Sequence, residues 1–172
     1  HFGEVFLKKG RRRYFMDKLS GSLERRLGRF RSDLKVVRPY GRFLVVPRED
    51  GAQIEDVERV VEAMAGTFGI VWAGPCDMIK DRTDDSIREA VVAYALRNRR
   101  RKHKTFKIAT KRADKRFPFT SIECNRRYGS AIYEAFDGDV EVDIHEPDLT
   151  VRLEIRDELA FIYGAGIDGV GG

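Results

Sequence analysis

The 172-residue sequence contains only two cysteines, Cys76 and Cys124, so no disulfide scaffold braces it. No segment reads as a secretory signal, and no apolar run approaches the ~18 residues of a membrane span. Both absences predict a cytoplasmic chain without membrane association. Histidine is scarce, confined to His1, His103 and His145. No two of these stand at i+3 or i+4 and no Cys-x-x-Cys exists, so zinc chemistry has no foundation. His145-Glu146-Pro147-Asp148 brings a histidine and carboxylates close, but Pro147 breaks any helical presentation and the segment reads as a loop. There is no Walker A sequence and no evident Ser-His-Asp grouping. Gly164-Ala165-Gly166 opens like a dinucleotide fingerprint but lacks the third glycine and the following helix. What remains is a binding module, not a complete catalyst, with no cofactor of its own. The first residue is not Met and the last two are Gly171 and Gly172, which predicts one part of a longer protein.

Charge, by contrast, is abundant and segregated. Residues 1–48 carry a net +10, residues 49–96 a net −7, residues 97–127 a net +11 and residues 128–172 a net −9, against a whole-chain value of +5. Basic blocks facing one way concentrate polyanions through long-range fields and counterion release. Alternatively, each block is a solvated surface neutralised by its acidic neighbour. With 42% hydrophobic residues the chain is too apolar for wholesale disorder.

The hydrophobic pattern predicts two small mixed α/β domains. Phe2–Leu7 reads as a strand. Arg12–Leu27 reads as a helix, with Phe15, Leu19, Leu23 and Leu27 at four-residue spacing. Strands at Asp33–Arg38 and Arg42–Pro47 flank the turn Pro39-Tyr40-Gly41. Gln53–Ala65 reads as a helix with Ile54, Val57, Val61 and Met64 on one face, and Ile70–Trp72 as a strand. This βαββαβ order is the ferredoxin-like arrangement, and it occupies residues 1–75. Residues 76–164 read as α-β-α-β-β-β. A helix capped near Thr83 has Ile87, Ala90, Val91 and Tyr94 inward and ends in the basic run Arg97–Lys104. Thr105–Lys111 is a strand. A helix capped by Thr120 or Ser121 runs to Phe136, with Ile122, Ile132, Tyr133 and Phe136 inward. Val140–Ile144 is a short strand, and Leu149–Ile155 with Leu159–Tyr163 form a hairpin. The five glycines of Gly164–Gly172 read as a linker, assigned to residues 165–172.

The strongest constellation runs from Phe106 to Gly129. A strand delivers Lys111 and Arg112 into a loop carrying Lys115, Arg116, Phe117, Pro118 and Phe119, after which a helix opens. The four cations are suited to phosphates, and so are the free N–H groups of the helix N-terminus. Phe117 and Phe119 either stack on unpaired bases, as single-stranded RNA is commonly bound, or plug the core beneath the loop. Cys124 lies near Arg126 and Arg127, which would lower its pKa if it were exposed; a packed, idle thiol is the alternative. A second cluster, Lys8-Lys9-Gly10-Arg11-Arg12-Arg13, sits at the first strand-to-helix turn. Cations there oppose the helix dipole, a cost that a docked polyanion would offset.

At these residues the chain resembles the N-terminal half of the tRNA 4-thiouridine synthetases, the ThiI sulfurtransferases. Gly3-Glu4-Val5-Phe6-Leu7-Lys8 with Arg12, Phe15 and Leu19 is similar to the family's opening; Phe68-Gly69-Ile70 with Pro75 is similar to its domain junction. Phe106-Lys107 through Asn125 and Gly129 follows the signature F-K-V-x-x-K-R-x-D-K-x-F-P-x-x-S-x-E-x-N-x-x-x-G, and Asp143, Pro147-Asp148 and Val151–Arg156 fit its closing strands. The resemblance implies a ferredoxin-like domain followed by a THUMP domain that together hold the acceptor stem and 3′ CCA end of tRNA. The catalysis it implies, ATP-dependent 4-thiouridine synthesis at uridine 8 with a role in thiamine thiazole synthesis in many members, belongs to a further domain. That domain would use ATP with magnesium, a persulfide sulfur carrier supplied by a cysteine desulfurase, and a homodimeric enzyme. On this resemblance Lys107, Lys111, Arg112, Lys115 and Arg116 pair with phosphates, and Phe117, Ser121 and Asn125 shape a pocket near the 3′ end. Lys8, Lys9 and Arg11–Arg13 take the stem backbone, and Arg127 joins the RNA face. Two alternatives stand beside it: a THUMP module of another RNA-modifying enzyme, such as a methyltransferase or deaminase, and a protein-interaction domain whose basic face meets an acidic partner.

Overall fold

The computed structural model describes residues 12–39 and 42–171, with Arg12 described by its backbone alone. The expected strand Phe2–Leu7, the cations Lys8, Lys9 and Arg11, the side chain of Arg12 and the tip of the Pro39-Tyr40-Gly41 turn lie outside the described residues. The chain divides into two compact units, residues 1–75 with 166–172 and residues 76–165.

In the first unit, α1 (Arg12–Gly28) buries Leu19, Leu23 and Leu27 of the expected stripe, with Met16 beside them, while Phe15 is half-buried against the same core. β1 (Leu34–Val37) and β2 (Leu44–Pro47) form an antiparallel hairpin. α2 (Val57–Ala65) begins four residues later than the periodicity predicts. Asp56 adopts a left-handed backbone at φ 50° and starts the helix, so Ile54 packs from the preceding segment and Val57 is exposed. Val60, Val61 and Ala65 take the inward face instead. β3 (Trp72–Ala73) does not end the unit's ladder, because its antiparallel partner is a tail strand, Ile167–Asp168. The expected linker is therefore part of the first unit. Its glycines allow close approach: a Cβ at Gly166 would overlap the Ala73 carbonyl, and one at Gly169 the Ile70 carbonyl.

The second unit opens with β4 (Cys76–Ile79), a strand the pattern does not predict. α3 (Asp84–Asn98) is capped by Thr83, whose hydroxyl accepts from the Ser86 N–H. It stops at Asn98 instead of continuing to Lys104. Arg99 is extended, its guanidinium paired with Asp139 at 3.3 Å and lying over the Phe136 ring. Prolonging the helix would also set like charges at i,i+3 and i,i+4 along 97–104. β5 (Thr105–Arg112), α4 (Ser121–Ala135), β6 (Glu141–Val142), β7 (Leu149–Ile155), β8 (Ala160–Tyr163) and the tail strand β9 (Ile167–Asp168) follow. The second unit holds a five-stranded sheet in the order β4-β8-β7-β5-β6. The hairpin β7–β8 forms as expected, while β5 runs parallel to β7 and β6. β4 is antiparallel to β8 and so shares the direction of β5 and β7. Helices α3 and α4 pack on the sheet through Ile87, Val91 and Tyr94 and through Cys124, Tyr128 and Ile132, with Phe136 following. Ile122 and Tyr133, expected inward, are exposed. The buried positions of α4 repeat every four residues from Cys124, which leaves 122 and 133 on the other side.

Candidate nucleic-acid interface

Because β4, β5 and β7 run the same way, their carboxyl-terminal ends meet at one edge of the sheet. The loops they enter carry cations, Lys80 and Arg82 after β4, Lys111 to Arg116 across the end of β5 and Arg156 after β7, interleaved with Asp81 and with Asp157 and Glu158, of which Asp157 faces Arg116 at 3.8 Å. The N-termini of α3 and α4 open at the same edge.

The centre of this edge is Asp114, buried at 4% exposure. Its Oδ1 accepts from the Arg116 backbone N–H at 2.9 Å and from Arg116 Nε at 3.0 Å, and its Oδ2 accepts from Arg82 Nη1 at 3.0 Å. The Arg116 and Arg82 donors hold the Asp114 carboxyl far below the usual carboxylate range. Arg82 also donates to the Arg156 carbonyl at 2.8 Å, and the Ala113 N–H donates to the Ile155 carbonyl at 2.9 Å. Arg112 reaches back to the carbonyls of Lys115 and Phe117 at 3.3 and 3.2 Å. The loop is thus a hydrogen-bonded cage whose construction engages two of the four expected phosphate cations, Arg112 and Arg116.

Lys111 and Lys115 remain. Both are exposed, and neither has an ion pair among the described residues. Two cations that the sequence reading missed share the edge: Lys80 and Arg126 are likewise exposed and unpaired among the described residues. Lys80 was hidden by the acidic composition of its block, and Arg126 was read only as a neighbour of Cys124. Arg13 is exposed on the first turn of α1 in the other unit.

Other expected contacts turn out to be structural. Phe117 is buried at 6% exposure and meets Phe119 edge-to-face at 5.9 Å between centroids, so it plugs the core and offers no face to a base. Phe119 is half-buried, with the Arg127 guanidinium over its ring at 4.3 Å. Arg127 pairs with Asp84 at the start of α3, lowering that carboxyl, and Tyr128 donates to the same group at 3.0 Å. It thereby ties α4 to α3 and is not a free cation. Lys107 donates to the Ile144 carbonyl at 3.2 Å. Ser121 and Asn125 clamp α4 to β5: Asn125 Oδ1 accepts from the Thr110 N–H at 2.8 Å and Ser121 Oγ from the Arg112 N–H at 3.3 Å.

The α4 N-terminus carries its own capping box. Glu123 accepts from the Thr120 N–H at 2.7 Å, and Thr120 Oγ1 accepts from the Glu123 N–H at 3.3 Å. The Glu123 carboxylate occupies the positive end of the helix that a phosphate would seek. Cys124 is fully buried, and burial pushes its thiol up to about 11, outweighing the lowering by Arg112 and Arg127. The 143–148 segment is a loop in which Asp143 accepts from the backbone N–H groups of His145 and Glu146. Among the described residues no three of His, Cys, Asp and Glu gather as metal ligands, and no helix is long and apolar enough to cross a membrane.

Comparison with known proteins matches two family models, the ThiI ferredoxin-like domain over residues 1–73 and the THUMP domain over residues 81–164. A probable tRNA sulfurtransferase of Thermoanaerobacter pseudethanolicus is 36% identical over 99% of this chain and 42% of the relative. A protein of the same name from Treponema pallidum is 35% identical over the whole chain and 41% of the relative. The chain spans about two fifths of the length of these curated relatives. Two solved structures share its fold across the whole chain. A 4-thiouridine synthetase in complex with RNA and ATP has a TM-score of 0.77 at 24% identity over 41% of its length; PH1313 from Pyrococcus horikoshii has a TM-score of 0.79 at 22% identity over 54% of its length. A ferredoxin-like unit completed by the tail, followed by a THUMP unit and matched across both by tRNA sulfurtransferases, places this chain in the ThiI family as its N-terminal ferredoxin-like and THUMP region.

Proposed function

We propose that this chain is the tRNA-docking region of a tRNA sulfurtransferase. It holds the acceptor stem and 3′ CCA end so that uridine 8 reaches a catalytic domain elsewhere in the longer protein. The observation that carries this reading is the caged loop after β5. Asp114, Arg112 and Arg116 fix its backbone, and Lys111 and Lys115 leave it exposed without a counter-charge among the described residues. A rigid loop with uncompensated lysines meets a phosphate backbone at low entropic cost. The names of the relatives, tRNA sulfurtransferases, support the choice of polyanion. On this reading the nucleotide, the persulfide carrier and the contacts of a homodimer fall to the longer protein, which works in the cytoplasm and serves thiazole synthesis in those members that make it.

The test is binding to an acceptor-stem minihelix ending in single-stranded CCA, against a blunt minihelix, across a salt series. The parent chain is expected to prefer the CCA end. Lys111→Ala with Lys115→Ala is expected to weaken binding and to flatten the dependence of log K on log salt by about 0.7–0.9 per lost phosphate contact. Unchanged affinity and slope in the double variant, with an unchanged melting temperature, would refute the assignment.

A further inference from the structure

The net +11 of residues 97–127 is not all at the interface described above. The turn between α3 and β5 lies at the opposite end of β5 from the caged loop. From Lys104 to Lys111 the strand covers about 23 Å at ~3.3 Å per residue. We propose that this turn is a second RNA-contact surface, in which Arg100, Arg101, Lys102 and Lys104 bind the phosphates of a double-helical stem without reading sequence. The proposal deepens the tRNA-docking reading and rests on it.

The turn is a built feature. The Arg100 N–H donates to His103 Nδ1 at 3.2 Å, and the His103 N–H donates to the Arg100 carbonyl at 2.9 Å. The Lys104 N–H donates to Asp148 Oδ2 at 2.8 Å, and the Lys104 carbonyl accepts from the Glu141 N–H at 2.9 Å. Arg99 anchors the entry through Asp139 and the Phe136 ring. On this frame the side chains of Arg100, Arg101, Lys102 and Lys104 are all exposed, and none has a hydrogen bond or ion pair among the described residues.

Three of the carboxylates at this end have other work, while Glu141, in register with Thr105, is exposed. Asp139 pairs with Arg99. Asp143 accepts from the His145 and Glu146 N–H groups at 2.8 and 3.1 Å. Asp148 accepts from the Lys104 and Thr105 N–H groups and from the Thr105 hydroxyl. These bonds staple loops, so those three groups shape the turn, and the exposed Glu141 does not match its four cations one for one. The dipole of α3 favours cations just past its C-terminus, which lowers the cost of the cluster in the free protein.

The chemistry of the turn selects the kind of contact. Its aromatic neighbours Phe106 and Phe136 are buried, at 1% exposure each, and Arg99 covers the Phe136 ring. Neither of these two rings is open to an unpaired base, and the four exposed cations suit backbone contacts to a duplex. A duplex presents one charge per ~1.7 Å of axis, so a stem laid along β5 offers phosphates at both ends of the strand.

The experiment compares the parent chain, Arg100→Ala/Arg101→Ala/Lys102→Ala, the matching Arg100→Lys/Arg101→Lys variant, and Lys111→Ala/Lys115→Ala on the CCA and blunt minihelices across a salt series. The triple alanine variant is expected to weaken both minihelices equally, about tenfold or more at physiological salt, and to reduce the salt slope by about two to three, at ~0.9 per phosphate. Its CCA-to-blunt preference is expected to stay as in the parent, and the lysine variant to retain the slope. Parental affinity and slope in a folded triple variant, while the Lys111/Lys115 variant is weakened, would overturn this surface and leave the tRNA-docking reading standing. Parental binding in both variants would overturn both. A loss confined to the CCA minihelix would overturn the assignment of this turn to the stem.

Discussion

Phe117 shows how one residue type supports two readings until its surroundings are known. An aromatic after two basic residues in a loop is what a base-stacking site needs, and it is equally what a loop needs to anchor itself to a core. In the structure the ring is buried against Phe119 and the α4–sheet core. Phe117→Ala is therefore expected to destabilise the second unit by about 3–5 kcal/mol, the usual cost of a large cavity. Phe117→Leu, which refills most of that volume, is expected to bind the CCA minihelix within about twofold of the parent, by the tolerance of cores to similar-sized apolar residues. A well-folded Phe117→Leu variant with lost affinity would show that the ring itself meets RNA. The same separation of roles explains the basic residues of the loop. Lys111-Arg112 and Lys115-Arg116 look alike as pairs in the sequence, yet each arginine, with its fork of donors, engages Asp114 or loop carbonyls and each lysine is left for solvent. Charge counting finds the cluster but cannot separate builders from binders.

At the scale of elements, α4 and β5 cohere through two side chains that were expected to face RNA. The Thr110 and Arg112 N–H groups donate to Asn125 and Ser121, so these positions complete the hydrogen bonding of β5 beyond its short pairing with β6 at Thr105 and Phe106. Asn125→Ala is expected to cost about 1–3 kcal/mol by leaving a half-buried N–H unpaired, and to speed hydrogen exchange at Thr110. Asn125→Asp, which keeps an acceptor oxygen, is expected to retain most of the protection. Equal protection in the alanine variant would show that the clamp does not hold β5. The elements that were legible had strong internal periodicity: the leucine stripe of α1, the alternation of β7 and β8, the Thr120 cap of α4. Those that were not had weak or conflicting local signals. β4 is a four-residue edge strand with the polar Asp77 among its residues. The α3 terminus is set by Arg99 reaching Asp139, forty residues away. The face of α4 is set by what the sheet leaves room for, and Ile122 lost that competition to Cys124.

The whole molecule departs most from a linear reading at its tail. Five glycines in the last nine residues suggest a flexible linker by composition, but composition cannot distinguish glycine needed for freedom from glycine needed for closeness. Here the second applies: the chain leaves the first unit at Pro75, builds the second, and returns through residues 166–171. The return makes four backbone hydrogen bonds beyond the β3–β9 ladder. The Gly169 N–H donates to Val71 at 2.9 Å, Val170 to Ala65 at 3.0 Å, Gly171 to Ile70 at 2.9 Å, and Gly69 donates back to Gly171 at 2.7 Å. At ~0.5–1.5 kcal/mol each, these bonds amount to roughly 2–6 kcal/mol, a large share of the stability of a domain this small. Two of them close on Ala65 and Ile70 and the ladder closes on Ala73, and these three lie in the same core as Leu19 and Leu23 of α1. A chain ending at Ala165 is therefore expected to lose protection against hydrogen exchange throughout α1 and α2 and at Gly69. The amides of β5, β7 and β8 should keep theirs, because residues 76–165 form a unit that does not include the tail. Unaltered protection in α1 and α2 after truncation would mean that the tail only rests on the first unit.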